Sequence, residues 1–568
     1  MFRKRPISIF RNPRLLPAAT PLAIAGLLIL QTGAQETRKR PRPDFATFED
    51  AAEAARWKGV GGAEAAPSRD FPSWQTHSLK VRIPAGSTGG VETDYVPEDW
   101  HRFEALQFFA YAEAPVALEV EVRDARGQTA RRGVKLEKGV NHVQVRTSGF
   151  KGVDLRRIEG LALRAQSPQE SVTLYLDRFR LTEYNEVLAR FGKMDAPYGL
   201  DVETPHVKWA RPYAGGPVHV LIVPDVAHGR AAVEIAQRLE CRLEPVTLGA
   251  SSGKNRWGFG DFYGQRGYSY GAPFTLAYTY LADRLLNGPE YDVMVLPGSR
   301  PWEEFPEIVR RKIRERVENG MGLVLIDPQV RDRERAADLW ELSALEILDT
   351  EPQPAEGRFW QRAADHFITR NVPLEAFPDD QMSHRKTRAH GQVLVQAANG
   401  DPILAVRQVG KGRVVTAAWV QRGMIPLVED QWNTGATWRY WEYMYSLLAR
   451  AIVWAARKEP AAGLQAIRFD SSGGARYAVV RAGAPAGARV RTTVRDEFWE
   501  TESTGLERIA QPGSEITVAL PSRPRGVHHF VDVILEDAEG KVIDWGSATY
   551  TTQPPTLVEG IEFSSDRF

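Results

Sequence analysis

Two aspartates follow short apolar runs in the middle of the chain, where a sheet-edge active site would hold its carboxylates. Asp225 comes after Val218–Val223, and Asp327 comes after Leu323–Ile326. Paired carboxylates could serve as acid and base in glycoside hydrolysis, about 6.5–9.5 Å apart for inversion or about 5–5.5 Å apart for retention. Each aspartate could instead cap the helix that follows it. The helix-like sequence directly after Asp225 favours capping at that position.

A glycine-rich stretch, residues 251–274, carries a third candidate carboxylate, Asp261, among many aromatic side chains. The aromatic residues are Trp257, Phe259, Phe262, Tyr263, Tyr268, Tyr270 and Phe274. A long stretch without secondary structure of its own is usually a functional loop or an interface. Its rings, with Trp257 and Tyr263 as first candidates, could stack on a sugar, but burial against a neighbouring domain is favoured. The few basic residues argue against nucleic-acid binding.

Thiol and metal chemistry find little support in the sequence. Cys241 is the only cysteine, so no intrachain disulfide can form. It stands at the end of a predicted helix and reads as a small buried apolar residue. The pair His528 and His529 lacks further ligands at a spacing typical of zinc. We therefore interpret that pair as part of an edge strand.

The candidate carboxylates need a scaffold, and the surrounding pattern predicts one. Between residues 217 and 458, short and continuously apolar strands alternate with amphipathic helical segments. This alternation indicates a parallel sheet covered on both faces. Ligands of such sheets bind at the carboxyl ends of the strands. We therefore expect a flavodoxin-like α/β domain over residues 217–458, closed by a buried helix.

The flanking regions have the alternating pattern of β-strands. Residues 45–182 contain short alternating runs separated by turn residues, which predicts a β-sandwich, and residues 463–552 predict a smaller, immunoglobulin-like sandwich. Residues 183–216 form a connector between the first two domains. The last stretch, 553–568, reads as an ordered tail or as the first strand of a further domain. In the second case the chain would be a piece of a longer protein.

The first sandwich resembles the jelly-roll carbohydrate-binding modules of bacterial glycoside hydrolases. The resemblance rests on FEDAAEAARWKG, SLKVRIPAG, DWHRFEALQFFAYAEAP and VTLYLDRFRL. It implies sugar-stacking aromatics, for which Trp74, Tyr95 and Trp100 are candidates, although Trp100 lies in an apolar block and fits the core better. It also implies a structural calcium ion, which takes oxygen ligands. The carboxylates at the matching positions are those of Glu49, Asp50 and Asp177.

The α/β segment resembles the class I glutamine-amidotransferase-like domain embedded in bacterial β-galactosidases. The resemblance rests on VHVLIVPDV, YDVMVLPGS, NGMGLVLIDP, HFITRNVPL and VGKGRVVTAAW. Active amidotransferases carry a cysteine on a sharp strand-to-helix turn. Here that turn is Asp327-Pro328-Gln329, so the nucleophile is absent. The resemblance therefore implies assembly, including a homo-oligomer formed through this domain, rather than amidotransferase activity.

Length and charge narrow the class of protein. A chain of 568 residues should form several domains, because single cores rarely grow beyond about 250–300 residues. The 73 Lys and Arg residues nearly balance the 72 Asp and Glu residues. No net field therefore attracts nucleic acid or an anionic membrane.

The first 34 residues have the features of a secretory signal peptide. A basic start precedes an apolar stretch, and small residues stand before Gln35. The alternative is an uncleaved anchor, but Pro17 and Pro21 interrupt the apolar helix that an anchor would need. No other apolar run is long enough to span a membrane. Export without disulfides fits a secreted or periplasmic bacterial protein.

Together these features predict a secreted accessory protein of polysaccharide binding or degradation, with an inactive amidotransferase-like domain. The first alternative is a glycoside hydrolase that uses the carboxylates at the edge of the α/β sheet. The second is an architectural envelope protein with no affinity for glycans. The sequence does not identify the glycan or its linkage.

Overall fold

The structure is a computed structural model. It describes residues 44–73, 76–182, 184, 206–224, 229–246, 273–298, 300–351, 353–354, 357–377, 382–421, 434–472, 475–513, 515–522 and 527–552. Most of these residues belong to β-strands that form several separate sheets. The chain is therefore β-rich with several sandwich-like sheets, as the two predicted sandwiches led us to expect.

The N-terminal region is a sandwich of two antiparallel sheets. Its elements are β1 Asp44–Phe45, α1 Ala51–Ala54, β2 Lys58–Val60, β3 Glu64–Ser68, β4 Ser78–Ile83, β5 Gly90–Thr93, β6 Ala105–Ala112, β7 Val116–Asp124, β8 Thr129–Leu136, β9 Gly139–Arg146, β10 Ile158–Ala165 and β11 Val172–Thr182. Sheet I has the order β3-β4-β11-β6-β9, with β1 paired to β11. Sheet II has the order β2-β5-β10-β7-β8.

Alternation of apolar and polar residues creates the sandwich core. Along β7, the side chains of Leu118, Val120 and Val122 are buried, while the residues between them point outward. This period of two is what a strand with one buried face requires. Burying each such side chain contributes roughly 1.5–3 kcal/mol. Aromatic rings complete the core, and Phe179 stacks on Phe108 with ring centroids 4.8 Å apart.

The middle of the chain is built around an eight-stranded mixed sheet. Its strands are β12 Val218–Ile222, β13 Cys241–Pro245, β14 Val293–Pro297, β15 Gly322–Ile326, β18 Gln361–Arg362, β21 Gln392–Gln396, β22 Pro402–Val409 and β23 Gly412–Ala417. The order is β13-β12-β14-β15-β23-β22-β21-β18. The first five strands in this order are parallel, and the remaining pairings are antiparallel.

Helices cover both faces of this sheet. They are α2 Gly229–Arg238, α3 Pro273–Asn287, α4 Glu307–Asn319, α5 Ala337–Leu342 and α6 Thr434–Ala455. On β12, Val220 and Ile222 pack with α2 and α6, whereas Leu221 packs with α3 and α4. The strand is therefore apolar on both sides, as its sequence indicates. Smaller pairings involve β16 Leu345–Ile347, β17 Gln353–Pro354, β19 Met382–His384, β20 Thr387–Ala389 and β24 Trp419–Gln421.

The C-terminal region is a second, smaller sandwich. Its strands are β25 Leu464–Ser472, β26 Ala475–Ala482, β27 Arg489–Arg495, β28 Thr501–Arg508, β29 Glu515–Ala519, β30 His528–Glu536 and β31 Val542–Thr551. They form the sheets β25-β26-β29 and β28-β27-β30-β31. Helix α6 is joined to β31 by a buried ion pair, with Arg450 Nη1 2.9 Å from Asp544 Oδ1. The indole of Trp545 also donates to Ser446 Oγ at 2.9 Å.

The outward face of sheet I is covered by α3. Phe71, Tyr111 and Tyr175 share one apolar cluster with this helix, and the ring of His142 stacks on Tyr280 with centroids 6.1 Å apart. Asn287 Nδ2 donates to the Tyr111 hydroxyl at 2.9 Å. This face of the first sandwich is therefore closed by the middle of the chain.

Candidate functional site

Sheet II has a shallow groove whose floor follows its central strand, β10. Leu161 and Leu163 point into the core, so the residues that alternate with them face outward. Two of these outward residues, Gly160 and Ala162, are small. Small side chains on the central strand leave room between the longer side chains of the flanking strands.

The sides of the groove are formed by long polar side chains on the neighbouring strands. On β7, Glu121 lies opposite Ala162 and Arg123 lies opposite Gly160. On the other side, Glu92 of β5 lies opposite Ala162, and Lys58 of β2 lies opposite Glu92. The cavity measures about 190 Å³ and is lined by Arg56, Lys58, Glu92, Thr93, Asp94, Glu121, Arg123, Gly160, Leu161, Ala162 and Arg164. It is smaller than the roughly 300–1,000 Å³ pockets that enclose drug-sized ligands.

Each carboxylate that lines the groove has an arginine partner. Asp94 lies 3.4 Å from Arg56, and Glu92 lies 3.0 Å from Arg164. Glu121 lies 2.5 Å from Arg131, which projects from β8. Ion pairs as exposed as these typically contribute about 0–1 kcal/mol to stability. Their main consequence is to position charged, planar side chains along the groove.

Two cations in the groove remain without such partners. Within the part of the chain that the structure describes, neither the Lys58 ammonium nor the Arg123 guanidinium forms a hydrogen bond or ion pair. The guanidinium of Arg123 lies across Gly160, because a Cβ added to that glycine would fall 3.1 Å from Arg123 Nη2. Both cations are exposed and face solvent.

Tyr95 stands at one end of the groove. The guanidinium of Arg56 lies 4.7 Å from the centre of the Tyr95 ring, which is a cation–π geometry. The ring is half-buried. Among the predicted sugar-binding aromatics that the structure describes, Tyr95 is the one held beside the groove.

The prediction that Trp100 binds sugar is corrected by its burial. Its side chain is 0% exposed, its indole nitrogen donates to the carbonyl of Pro97 at 2.8 Å, and its ring packs edge-on against Phe150. A ring enclosed in this way has no face left for a sugar. The candidates Trp74, Trp257 and Tyr263 lie outside the described residues.

The three carboxylates predicted to hold calcium have separate roles. Asp50 caps α1 by accepting from the Ala52 amide at 2.8 Å. Asp177 is fully buried, and its Oδ2 accepts from the Ser73 amide at 2.7 Å and the Ser73 hydroxyl at 2.8 Å. Among the described residues, no three His, Cys, Asp or Glu side chains form a group that could hold a metal.

The carboxylate of Glu49 also accepts hydrogen bonds from backbone amides of the protein. Its Oε1 accepts from the amides of Thr76 and His77 at 2.8 and 2.7 Å. Burial opposes ionisation of Glu49, but the hydrogen bonds from Thr76 and His77 outweigh it and hold its pKa below the usual value. In the described residues, Glu49, Asp50 and Asp177 accept hydrogen bonds from the protein itself, and the shared calcium site stays a prediction.

Asp327 ends β15 and is locked by two partners. Its Oδ1 lies 2.6 Å from Arg385 Nε, and Gln329 Nε2 donates to its Oδ2 at 2.6 Å. The backbone turns sharply here, with φ at +44°, and the side chain is buried. The prediction that Asp327 caps a helix is wrong, because the next helix, α5, begins at Ala337. Asp225 and Asp261 lie outside the described residues.

The space beside Asp327 is small. A cavity of about 20 Å³ lies at this sheet edge, lined mainly by apolar residues that include Leu296, Trp302 and Phe305. Gly298 approaches the Asp327 carbonyl so closely that a Cβ there would fall 1.6 Å from the oxygen. The described part of this edge therefore offers neither a free carboxylate nor room for a sugar.

Two further residues with reactive side chains, Cys241 and His529, have structural surroundings. Cys241 begins β13 rather than ending a helix, and burial raises the pKa of its thiol to about 12. His529 is buried between Glu502 and Thr552, with 3.0 Å from its Nδ1 to Glu502 Oε2 and 3.0 Å from its Nε2 to Thr552 Oγ1. Its strand, β30, lies between β27 and β31, so the prediction of an edge strand is wrong. The thiol of Cys241 is partly buried and stays protonated near neutral pH, which makes it a weak nucleophile, and both ring nitrogens of His529 are already hydrogen-bonded.

Two features were not predicted from the sequence, the groove and a partly buried pair of His384 with Asp401. His384 Nε2 lies 2.8 Å from Asp401 Oδ2, and no sequence pattern pointed to this contact. The groove does correspond to a pattern in the sequence. The outward positions of VALEVEVRD are polar or charged, and those of IEGLALRA include Gly160 and Ala162.

Comparison with known proteins finds structural similarity only. No protein-family model matches the chain, and no curated protein matches it. One similar solved structure is a family 11 carbohydrate-binding module from Clostridium thermocellum in complex with a β-1,3-1,4-mixed-linked tetrasaccharide. It is 11% identical, has a TM-score of 0.21, and the match covers 25% of this chain and 95% of that one.

Two further structures show the same level of similarity. An exo-β-agarase is 16% identical with a TM-score of 0.22, and the match covers 25% of each chain. A xylan-binding domain from Paenibacillus barcinonensis is 16% identical with a TM-score of 0.19, and the match covers 25% of this chain and 94% of that domain. Because all three TM-scores are near 0.2, the groove's own residues must carry any functional proposal.

The sequence predicts no membrane-spanning segment after the signal peptide. Within the described ranges, no helix combines the length and the apolar character that crossing a bilayer requires. The predicted signal peptide, residues 1–34, lies outside those ranges.

Proposed function

We propose that this protein binds a polysaccharide or oligosaccharide in the groove of sheet II and acts as a secreted accessory protein of polysaccharide binding or degradation. The observation that carries the proposal is the groove itself. A floor of Gly160 and Ala162 lies between rows of carboxylates and guanidinium groups. Such groups donate and accept hydrogen bonds, which the many hydroxyls of a sugar need.

The outward face of sheet I is covered, which supports placing the glycan on sheet II. A sandwich of this kind has two outward faces on which a ligand could lie. On sheet I, the aromatic side chains of Tyr111 and Tyr175 are buried in the cluster that includes α3, together with Phe71 from the loop after β3. The groove of sheet II is open to solvent, so it is the face on which the proposal rests.

The proposal also treats the α/β part as non-catalytic. The turn after β15 carries Asp327 in place of a cysteine, and Arg385 is paired with its carboxylate. A buried, ion-paired carboxylate is a poor general base, because its partner stabilises the charged form. This arrangement argues against a glycoside hydrolase built on Asp327. Assembly through the α/β part and a periplasmic or extracellular location remain parts of the proposal.

Affinity gel electrophoresis against a panel of plant, algal and host polysaccharides tests the proposal. Ala162→Phe would place a ring on the groove floor without entering the core, and we expect it to abolish retardation by every polymer that retards the wild type. Ala51→Phe is the matched control, because Ala51 is an exposed alanine on α1 outside the groove. Each gel sample is also assayed for released sugar.

Three outcomes would count against the proposal. Retardation that survives Ala162→Phe would place the glycan elsewhere. Absence of retardation on every polymer would favour an architectural role. Sugar release by the wild type would overturn the non-catalytic assignment.

A further inference from the structure

The charges of the groove do not balance, and the imbalance has a definite pattern. Pairing Asp94 with Arg56, Glu92 with Arg164, and Glu121 with Arg131 uses every carboxylate that lines the cavity. Two lining cations are then left over. They are Lys58 and Arg123, and neither side chain has a hydrogen-bond or ion-pair partner among the described residues.

These two cations stand on opposite sides of the floor. Lys58 is on β2 and Arg123 is on β7, and the strands β5 and β10 lie between them. Adjacent strands are about 4.8 Å apart, so three spacings separate the two backbones by roughly 14 Å. The guanidinium of Arg123 lies over Gly160 of β10, and Lys58 stands two strands away on β2, so the two charges occupy different parts of the groove. A ligand that carries anionic groups at intervals can contact both.

The two side chains differ in what they recognise. The planar guanidinium of Arg123 can bind a carboxylate or sulfate through two parallel hydrogen bonds, whereas the ammonium of Lys58 acts as a point charge. Arg123 lies over Gly160, so its guanidinium is already at the groove floor. A neutral sugar would leave both charges unmatched, and complementary charge mainly sets specificity.

We propose that the groove selects an anionic saccharide, one that carries repeated carboxylate or sulfate groups, through Arg123 and Lys58. This inference rests on the proposed function, because it names the class of glycan that the same groove binds. The carboxylates are already neutralised by their arginines. The groove therefore presents an excess of positive charge to an incoming chain.

The test uses pairs of polysaccharides in which one member is neutral and the other carries anionic groups on a similar sugar backbone. Suitable pairs are hydroxyethylcellulose with carboxymethylcellulose, highly methyl-esterified pectin with de-esterified polygalacturonate, and agarose with a sulfated galactan. We expect retardation by charged members and at least ~10-fold weaker binding to their neutral counterparts, the effect of about one charged hydrogen bond. Comparing the carboxylated polymers with the sulfated galactan shows which anionic group the groove prefers.

Variants assign the effect to the two cations. Arg123→Ala should weaken binding to the charged polymers by roughly 10-fold, and Lys58→Ala should weaken it by a smaller factor. Arg123→Lys keeps the charge but loses the paired donors, so it should fall between Arg123→Ala and the wild type. Lys151→Ala is the control, because it removes an exposed positive charge that does not line the groove. Thermal unfolding midpoints show whether each variant is folded.

Several results would overturn the inference. Equal binding to neutral and charged members would remove the selection for anions while leaving the proposed function intact. Unchanged binding by Arg123→Ala, or equal binding to polyglutamate as a polyanion without sugar, would show that the groove does not select acidic saccharides. Absence of binding to any polymer would defeat the proposed function as well.

Discussion

The two sheets of the first sandwich share one core but present opposite surfaces. Sheet I faces outward with aromatic residues such as Phe109, Tyr111 and Tyr175, and α3 covers them. Sheet II faces outward with Glu121, Arg123 and other charged side chains that meet solvent. The outward residues of a strand therefore indicate what will cover it, because apolar faces must be buried and charged faces must stay hydrated.

The covered face should be the more sensitive of the two to truncation. Phe109 is 3% exposed and packs edge-on against His142 beneath α3. Phe109→Ala should therefore reduce stability by about 3–5 kcal/mol, the usual cost of removing a buried aromatic ring. The thermal unfolding midpoint measures this. A midpoint indistinguishable from that of the wild type would show that the face is not tightly packed.

The same interface should weaken in acid. Burial lowers the pKa of His142 to about 4, and the nearby charges of Arg180 and Arg178 act in the same direction. His142 as a whole residue is half-buried, and its Nε2 is buried without a hydrogen-bond partner among the described residues. The folded state therefore holds this histidine neutral, whereas the unfolded chain protonates it below its usual pKa of about 6.5.

The direction of the pH effect follows from these two pKa values. The stability is fully present above about pH 6.5 and declines as the pH falls from about 6.5 towards 4, by on the order of 1–3 kcal/mol. His366, whose pKa is also lowered to about 4 by burial and then by Arg370, adds an effect of the same sign. Unfolding midpoints between about pH 7 and pH 4 should show a shallower decline for His142→Gln. An equally steep decline would exclude His142 as a source.

The open face should be the least sensitive in stability. Glu121→Gln removes the ion pair with Arg131, a pair at the surface of sheet II. We expect a stability change of less than about 1 kcal/mol, because exposed ion pairs contribute little. A loss as large as that of Phe109→Ala would show that sheet II is held together by its charged surface, and the contrast between the two faces would fail.

The sequence predicted the strands well because each strand carries its own pattern. Val218–Val223 and Leu323–Ile326 are apolar throughout, apart from His219, and both run within the parallel part of the mixed sheet. The alternation in VALEVEVRD likewise marks β7 as a strand with one buried face. Such patterns are local, so a single chain segment is sufficient to reveal them.

The site residues were harder to predict because their roles depend on distant partners. Trp100 is adjacent to charged residues in the sequence, yet the Pro97 carbonyl satisfies its indole nitrogen and permits complete burial. Asp327 is fixed by Arg385, which lies 58 positions away. The groove depends on which face of the sandwich α3 leaves open. None of these facts follows from the spacing of residues along the chain.

The most direct test of the central claim is amide hydrogen exchange of the chain with and without a saturating polysaccharide ligand. We expect added protection in β2, β5, β7 and β10, which form the groove, and none in β4, β6 or β9 of sheet I. Protection that appears in sheet I, or only outside the first sandwich, would contradict the claim that the glycan lies on sheet II.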